Sequence, residues 1–310
     1  MSSPSSALDA RTSQPRLRPI ERIADPSERV LALLLLAPAA LFLGLIVVYP
    51  IARLVYNSFF DLRMSGGQSA PFVAFQNYAL ALTDKIFWNA LWNTVLVTVI
   101  TVIGALLVGL GLALLANLPY RIRWPVRLAL LLPWAMPLAF AGLIFAWFFN
   151  TDYGVINDWV VRLGFPPLQW LLQPGTAFAA VCIAIIWKSS SFIGLILLAG
   201  LQMIPRSLYE AAEVDGATRF QQFREVTLPL LVPSIVVALI FRTITALQTF
   251  DIPYTMTKGG PAHATETLAM LIHSTTIDYG DIGYGSTLAV LMFIVSMAVT
   301  AVYLRRLQRD

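Results

Sequence analysis

The chain has 310 residues, of which 58% are hydrophobic and only 12% charged, with a mean hydropathy of +0.73. A soluble domain carries roughly 25% charged residues, so this composition excludes a water-soluble globule and calls for a lipid solvent. The net charge of +4 and pI near 9.3 do not describe a nucleic-acid surface, because the basic residues fall in short clusters between apolar runs.

Residues 1–29 are polar and contain Ser, Pro and Arg. They lack the apolar core and small-residue cleavage site of a signal peptide, and read as a largely disordered cytoplasmic tail. From residue 30 to 310 the chain reads as one membrane domain. A spanning helix needs about 20 apolar residues, and six segments qualify: Val30–Tyr49, Ala90–Leu115, Val126–Phe149, Ala177–Leu201, Leu228–Phe250 and Gly285–Leu304. Tyr49-Pro50 ends the apolar part of the first, although the helix can continue to Phe60. Asn117-Leu118-Pro119 ends the second. Pro133 and Pro137 are expected to kink the third, which lipid tolerates where neighbouring helices satisfy the freed carbonyls. The expected class is an all-α integral membrane protein of six transmembrane helices.

Orientation follows from Lys and Arg. With the N-terminus in the cytoplasm, the inside segments hold Arg11, Arg16, Arg18, Arg22, Arg29, Arg121, Arg123, Arg127, Arg206, Arg219, Arg224, Arg305, Arg306 and Arg309. The outside segments hold only Arg53, Arg63, Lys85, Arg162 and Lys258. This bias puts both termini inside. Trp88, Trp92, Trp147, Trp159 and Trp170 fall near the expected interfaces. The outside loops, about 57–89, 150–176 and 253–284, are too short for a catalytic domain. No phosphate-binding glycine loop with Lys-Ser/Thr is present, so the chain is not expected to hydrolyse ATP.

Cys182, the single cysteine, lies in an apolar run and reads as a small buried hydrophobe. His263 and His273 are ten residues apart with no Cys beside them, too few for a closed zinc site of about four ligands. No metal and no cofactor is expected on this chain.

The inside segment of about 202–227 is long, polar and helix-forming. Pro205 suits a first helical turn, Ser207 with Glu210 fits a capping box, Gly216 suits a helix end or sharp bend, and a second helix runs from about Arg219 into Val226. Glu210-Ala211-Ala212, Asp215-Gly216-Ala217, Phe220 and Leu228-Pro229 resemble the EAA loop of ABC importer permeases. The resemblance implies a type I ABC importer permease fold. It also implies a cytoplasmic helix-turn-helix in which Glu210, Ala211, Ala212, Asp215, Gly216 and Phe220 couple the chain to an ATPase subunit. ATP and Mg2+ would then belong to the two partner ATPase subunits.

Further stretches narrow the branch: Ala37-Pro38-Ala39-Ala40, Tyr49-Pro50, Asn57-Ser58-Phe59, Phe250-Asp251-Ile252-Pro253-Tyr254, Thr257-Lys258-Gly259-Gly260-Pro261 and Tyr279-Gly280-Asp281. They resemble carbohydrate importers, specifically the first maltose-permease type, over about residues 30–310. The resemblance implies a heterodimer with a second permease, an extracytoplasmic solute-binding protein and residence in a bacterial inner membrane. Unlike the maltose permease, this sequence shows no extra spans ahead of Val30 and no large external domain. Lys258-Gly259-Gly260-Pro261 is a tight turn by backbone rules alone.

Ionisable residues inside a span default to functional hypotheses. Lys188 lies near the outer part of the fourth span, Arg242 midway along the fifth and Asp251 at its outer end. Arg242, Thr245, Gln248 and Thr249 share one helical stripe, suited to a hydroxyl-rich solute. The resemblance places sugar-contacting positions of the maltose permease on Lys188, Ser189, Phe192, Arg242, Thr245, Ala246 and Thr249. Phe192 or Trp187 could stack on a sugar ring. Alternatively, Lys188 and Arg242 pair with carboxylates or helix carbonyls and only hold helices together. A di- or oligosaccharide is the expected solute. Two cations also raise glycerol-3-phosphate or a related phosphodiester. Outside this family, the competing readings are a secondary transporter or a membrane enzyme built on His263, Glu266 and His273.

Overall fold

The computed structural model describes residues 28–65, 70–118 and 124–307. The tail reading of residues 1–27, the turn at Pro119 and the orientation charges Arg121, Arg123 and Arg309 lie outside them. The described residues are helical, with two isolated antiparallel bridges, Phe60–Phe72 and Arg63–Asp281. The chain divides into two units, residues 1–53 and 54–310.

The first unit carries α1 (Glu28–Leu43), a π turn (Gly44–Val48) and the start of α2 (Tyr49–Asn57). Together they make one rod, Val30–Asn57, long and apolar enough to span a membrane, with none of its apolar window buried within the chain. Pro50 does not end it. The π turn widens the backbone just ahead of Pro50, with the Tyr49 N–H reaching the Gly44 carbonyl. That gives room for the proline ring against the preceding turn. The same device recurs at Phe223–Thr227, just ahead of Pro229.

The second unit follows with α3 (Gln76–Thr83), α4 (Lys85–Asn117), α5 (Trp124–Ala135), α6 (Leu138–Phe148), α7 (Val155–Arg162) and α8 (Pro174–Met203). Next come α9 (Arg206–Val214), α10 (Arg219–Gln222), α11 (Leu228–Leu247), α12 (Asp251–Thr257), α13 (Leu268–His273) and α14 (Ile282–Leu307). Five helices are long and apolar enough to cross a membrane, and the bent pair α5–α6 makes a sixth span if taken together. That pair corrects the expected kink. Its halves meet at 104°, and the break falls at Pro137 alone, while Pro133 sits inside α5. Pro137 has no N–H to return to the Pro133 carbonyl, and α6 restarts at Leu138, so the Trp134 carbonyl also loses its helical donor.

The core of this unit is the pairing of α4 with α8. Small residues let the backbones approach, as in other membrane helix pairs. A Cβ on Gly109 would lie 2.8 Å from the Ser190 carbonyl oxygen, and one on Gly194 would lie 3.2 Å from the Gly109 carbonyl oxygen. Leu130 of α5, Ile193 and Leu197 of α8 and Leu231 of α11 close around this contact, fully buried. Towards the other end, Phe145 and Phe149 pack with Val181, Ile185 and Ile252, and Cys182 is buried among them.

The 253–284 segment, expected as a loop, folds as α12, α13 and a further π turn, and it is pinned to α4. Asn93 donates to the carbonyls of His263 (2.9 Å) and Glu266 (3.1 Å), and Thr94 accepts the Leu268 N–H at 2.8 Å. The tight turn at Lys258-Gly259-Gly260-Pro261 is present, with φ of +51° at Lys258 and +88° at Gly259. Lys258 closes α12 in the left-handed conformation.

Candidate functional site

Residues Lys188, Ser189 and Phe192 of α8 and Arg242, Thr245, Thr249 and Asp251 around the α11–α12 junction line one cavity of about 350 Å³. That volume is at the lower end of the range of small-ligand sites, about 300–1,000 Å³. Trp134, Leu138, Ile185, Phe241, Phe250 and Ile252 complete the wall. One stripe residue and one position implied by the resemblance do not join it. Gln248 is exposed at the end of α11, and Ala246 is buried away from the cavity. Trp187 packs on Phe145, ring centroids 5.3 Å apart, so Phe192 and not Trp187 is the α8 aromatic at the cavity.

Positions along the helices also differ from the sequence expectation. Lys188 is midway along α8, because that helix starts at Pro174 and runs to Met203. Arg242 lies near the end of α11, which stops at Leu247, and Asp251 opens α12, where the helix N-terminus favours a carboxylate.

The two cations are held differently. Lys188 Nζ donates to the Trp134 carbonyl at 3.0 Å, and Ser191 Oγ donates to the Leu130 carbonyl. The Trp134 carbonyl, released at the proline break, is thus satisfied from α8. Leaving such a group unpaired costs about 1–3 kcal/mol. Arg242, only 6% exposed, donates through Nη2 to Thr101 Oγ1 of α4 at 2.8 Å and through Nη1 to Thr245 Oγ1 at 3.4 Å. Its Nε is buried without a partner. Among the described residues, the four ion pairs are Arg63–Asp61, Arg63–Asp281, Arg162–Asp158 and His263–Glu266. None of them engages Lys188 or Arg242.

The sequence reading missed Thr101 and Trp134. Thr94, Thr98 and Thr101 recur at spacings of four and three on the otherwise apolar α4, which is the signal that marks a polar face there. Trp134 carries no such signal: it lines the cavity and lends its backbone carbonyl to Lys188 because of its place beside the break. The His263, Glu266 and His273 cluster divides. His263 Nδ1 meets Glu266 Oε2 at 2.6 Å, while His273 packs its ring on Phe250 and Tyr254.

At the opposite end of α8, α9 and α10 form an exposed hairpin. Glu210, Ala211, Asp215, Gly216 and Phe220 are exposed, and Ala212 is half-buried. The expected capping box at Ser207 and Glu210 is absent: Pro205 stands at the N-cap, where it offers no side-chain acceptor. The box is instead at α10, where Thr218 Oγ1 accepts the Gln221 N–H and the Gln221 side chain accepts the Thr218 N–H at 2.7 Å. Gly216, φ +78°, closes α9 as the sequence suggested, with Gly216 N–H on the Glu213 carbonyl (3.1 Å) and Ala217 N–H on the Ala212 carbonyl (2.9 Å). The second helix does not stop near Val226. It passes through the π turn into α11, so Arg219–Leu247 is one continuous rod of 29 residues. Tyr209 Oη and Thr227 Oγ1, 3.0 Å apart, tie the hairpin back to that rod.

A cavity with cations and hydroxyls on a largely apolar wall, inside a bundle of membrane-length helices and with an exposed hairpin continuous with one wall, fits a permease. The family model of the binding-protein-dependent transport system inner membrane component matches residues 105–310, and the chain belongs to that family. It is therefore a multi-pass membrane component of an ABC importer, which sets aside the secondary-transporter and enzyme alternatives.

It is 65% identical to the sulfoquinovosyl glycerol transport system permease protein SmoG of Agrobacterium fabrum, over 92% of each chain. It is 42% identical to the trehalose/maltose transport system permease protein MalF of Thermococcus litoralis, over 77% of this chain and 82% of that one. In fold it is similar to a bacterial ABC transporter involved in the import of the acidic polysaccharide alginate. The TM-score is 0.80 at 22% identity, covering 94% of this chain and 98% of that one.

Proposed function

We propose that this chain is the permease through which a sugar, a di- or oligosaccharide or a small glycoside, crosses the membrane by alternating access. The observation that carries the reading is the meeting of Lys188, Ser189, Phe192, Arg242, Thr245, Thr249 and Asp251 around one cavity. Hydroxyls and cations there can hydrogen-bond a hydroxyl-rich solute, and Phe192, Phe250 and Trp134 offer ring faces. The naming of the two relatives for a sulfosugar glycoside and for trehalose or maltose supports the same class.

The partners that complete this reading are a second permease, two ATPase subunits carrying ATP and Mg2+, and an external binding protein. Both termini and the α9–α10 hairpin then lie in the cytoplasm. Glu210, Ala211, Ala212, Asp215, Gly216 and Phe220 form the surface set against an ATPase. Phe220 is 71% and Val214 88% exposed, an apolar contribution that suits a protein groove better than water. Because α10 is continuous with α11, a push on the hairpin acts on the helix that carries Arg242 and Thr245, as a rigid-body movement. Glycerol-3-phosphate, or a related phosphodiester, is the second reading, favoured by the two cations alone.

The test is ATP hydrolysis by the complex reconstituted in lipid nanodiscs, with wild type beside Glu210→Lys. Sugar with binding protein is expected to stimulate the wild type, and the exposed charge reversal is expected to lower that stimulation at least tenfold without loss of assembly. No response of the wild type to any solute overturns the import reading. An unaltered response of the variant overturns the coupling role of Glu210.

A further inference from the structure

Resting on the import reading, we propose that the cavity selects an anionic sugar, one bearing a sulfonate or a phosphate-type group, and that Arg242 is the residue that receives the acid.

The case starts from what Arg242 lacks. Its guanidinium has five N–H donors in a planar fork suited to bidentate binding of an anion. Thr101 and Thr245 are neutral acceptors and use two of them, while Nε stays buried and unpaired. The side chain is 6% exposed and lines the cavity. A buried cation is ordinarily paired, yet among the described residues no carboxylate forms an ion pair with it, and only one acid, Asp251, lines the same space. The unmet charge and the unmet donor both belong to a side chain on the cavity wall.

Lys188 strengthens the sign of the site. Its ammonium takes the Trp134 carbonyl, another neutral acceptor, so it adds positive charge to the cavity without neutralising any. Two cations face one carboxylate, and that carboxylate sits at the α12 N-terminus, where the helix partly compensates it. A neutral sugar leaves this excess of charge unanswered, whereas a monoanionic one balances it. Phe192 and Trp134 then face the apolar side of a sugar ring while the acid lies on Arg242. Thr101 acts as a positioning residue, holding the fork from α4.

The experiment measures equilibrium binding to the full importer complex in nanodiscs, without the binding protein, so that the cavity alone is read. The probes are a labelled glucoside carrying a 6-sulfonate, its neutral 6-hydroxyl counterpart, and glycerol-3-phosphate. The sulfonated glucoside is expected to bind at least tenfold more tightly than the neutral one. Arg242→Gln is expected to remove that preference, and Lys188→Gln to reduce it, in complexes that still assemble. Glycerol-3-phosphate binding as well as the sulfonated sugar would overturn the sugar part of the proposal while leaving the anion site. An equal affinity for charged and neutral glucosides overturns it, as does an Arg242→Gln complex with the wild-type preference, the result expected if a carboxylate of the second permease neutralises Arg242. If no probe binds while sugar with binding protein still stimulates ATP hydrolysis, the cavity assignment fails and the import reading stands. If nothing stimulates hydrolysis, the import reading fails first.

Discussion

In the α9–α10 hairpin, the bonds that turn the chain join residues three to five positions apart: Gly216 to Glu213, Ala217 to Ala212, and Thr218 to Gln221. Around the cavity they join residues 54, 61 and 141 positions apart: Lys188 to Trp134, Ser191 to Leu130, and Arg242 to Thr101. The hairpin is an exposed object whose turn is made by its own caps. The cavity exists only where the broken pair α5–α6, α8, α11 and the start of α12 are packed together. The proposed import cycle asks for both, a stiff surface for a partner to push and an interior that the push can open. The uninterrupted backbone from α10 to α11 is what joins them.

The largest expected effect tests whether close helix packing holds the cavity. Gly109→Val places its branch against the Ser190 carbonyl, where even a Cβ would sit at 2.8 Å. A cost of about 3 kcal/mol is expected, read as a fall in the thermal unfolding midpoint in nanodiscs. A wild-type midpoint would mean that the α4–α8 contact is slack and that the cavity wall is held elsewhere.

Lys188→Met is next. It leaves the Trp134 carbonyl without its donor, at an expected cost of ~1–3 kcal/mol, seen in the same unfolding measurement. Unchanged stability would show that the broken span satisfies that carbonyl by another route, which would free Lys188 for the solute alone.

The smallest effect belongs to the hairpin. Thr218→Ala removes the α10 cap, worth about 1 kcal/mol. Faster amide hydrogen exchange is expected at Arg219–Gln222, with no change in global unfolding. A drop in the global midpoint would deny that the hairpin is a local object and would break the comparison at its root.

Because membrane helices must satisfy their backbones internally and present apolar length to lipid, four of the six spans were legible within about five residues of their ends, while the first runs on to Asn57 and the fifth begins back at Arg219. Also legible were the left-handed turn at Gly216 and the turn at Gly259, which depend on glycine's freedom at positive φ. The helical spacing of Arg242 and Thr245 also showed that they share a face. It could not place Gln248 or Thr249, because α11 stops at Leu247, five positions past Arg242; past that end Thr249 lines the cavity and Gln248 is exposed. The misplaced capping box has a similar origin. Ser207 and Glu210 have the right spacing, but Pro205 already starts the helix two residues earlier.

What the sequence alone determined is therefore whatever rests on solvent and on short-range backbone rules: a lipid-embedded helical chain, its span order and its hairpin. What only the tertiary structure decided is which polar groups meet. That Pro137 and not Pro133 breaks the third span, that Lys188 answers the carbonyl released there, and that Arg242 leans on Thr101 with no ion pair among the described residues all depend on contacts between helices far apart in the chain. Periodicity orients a side chain on its own helix, but the neighbour it faces is set by packing.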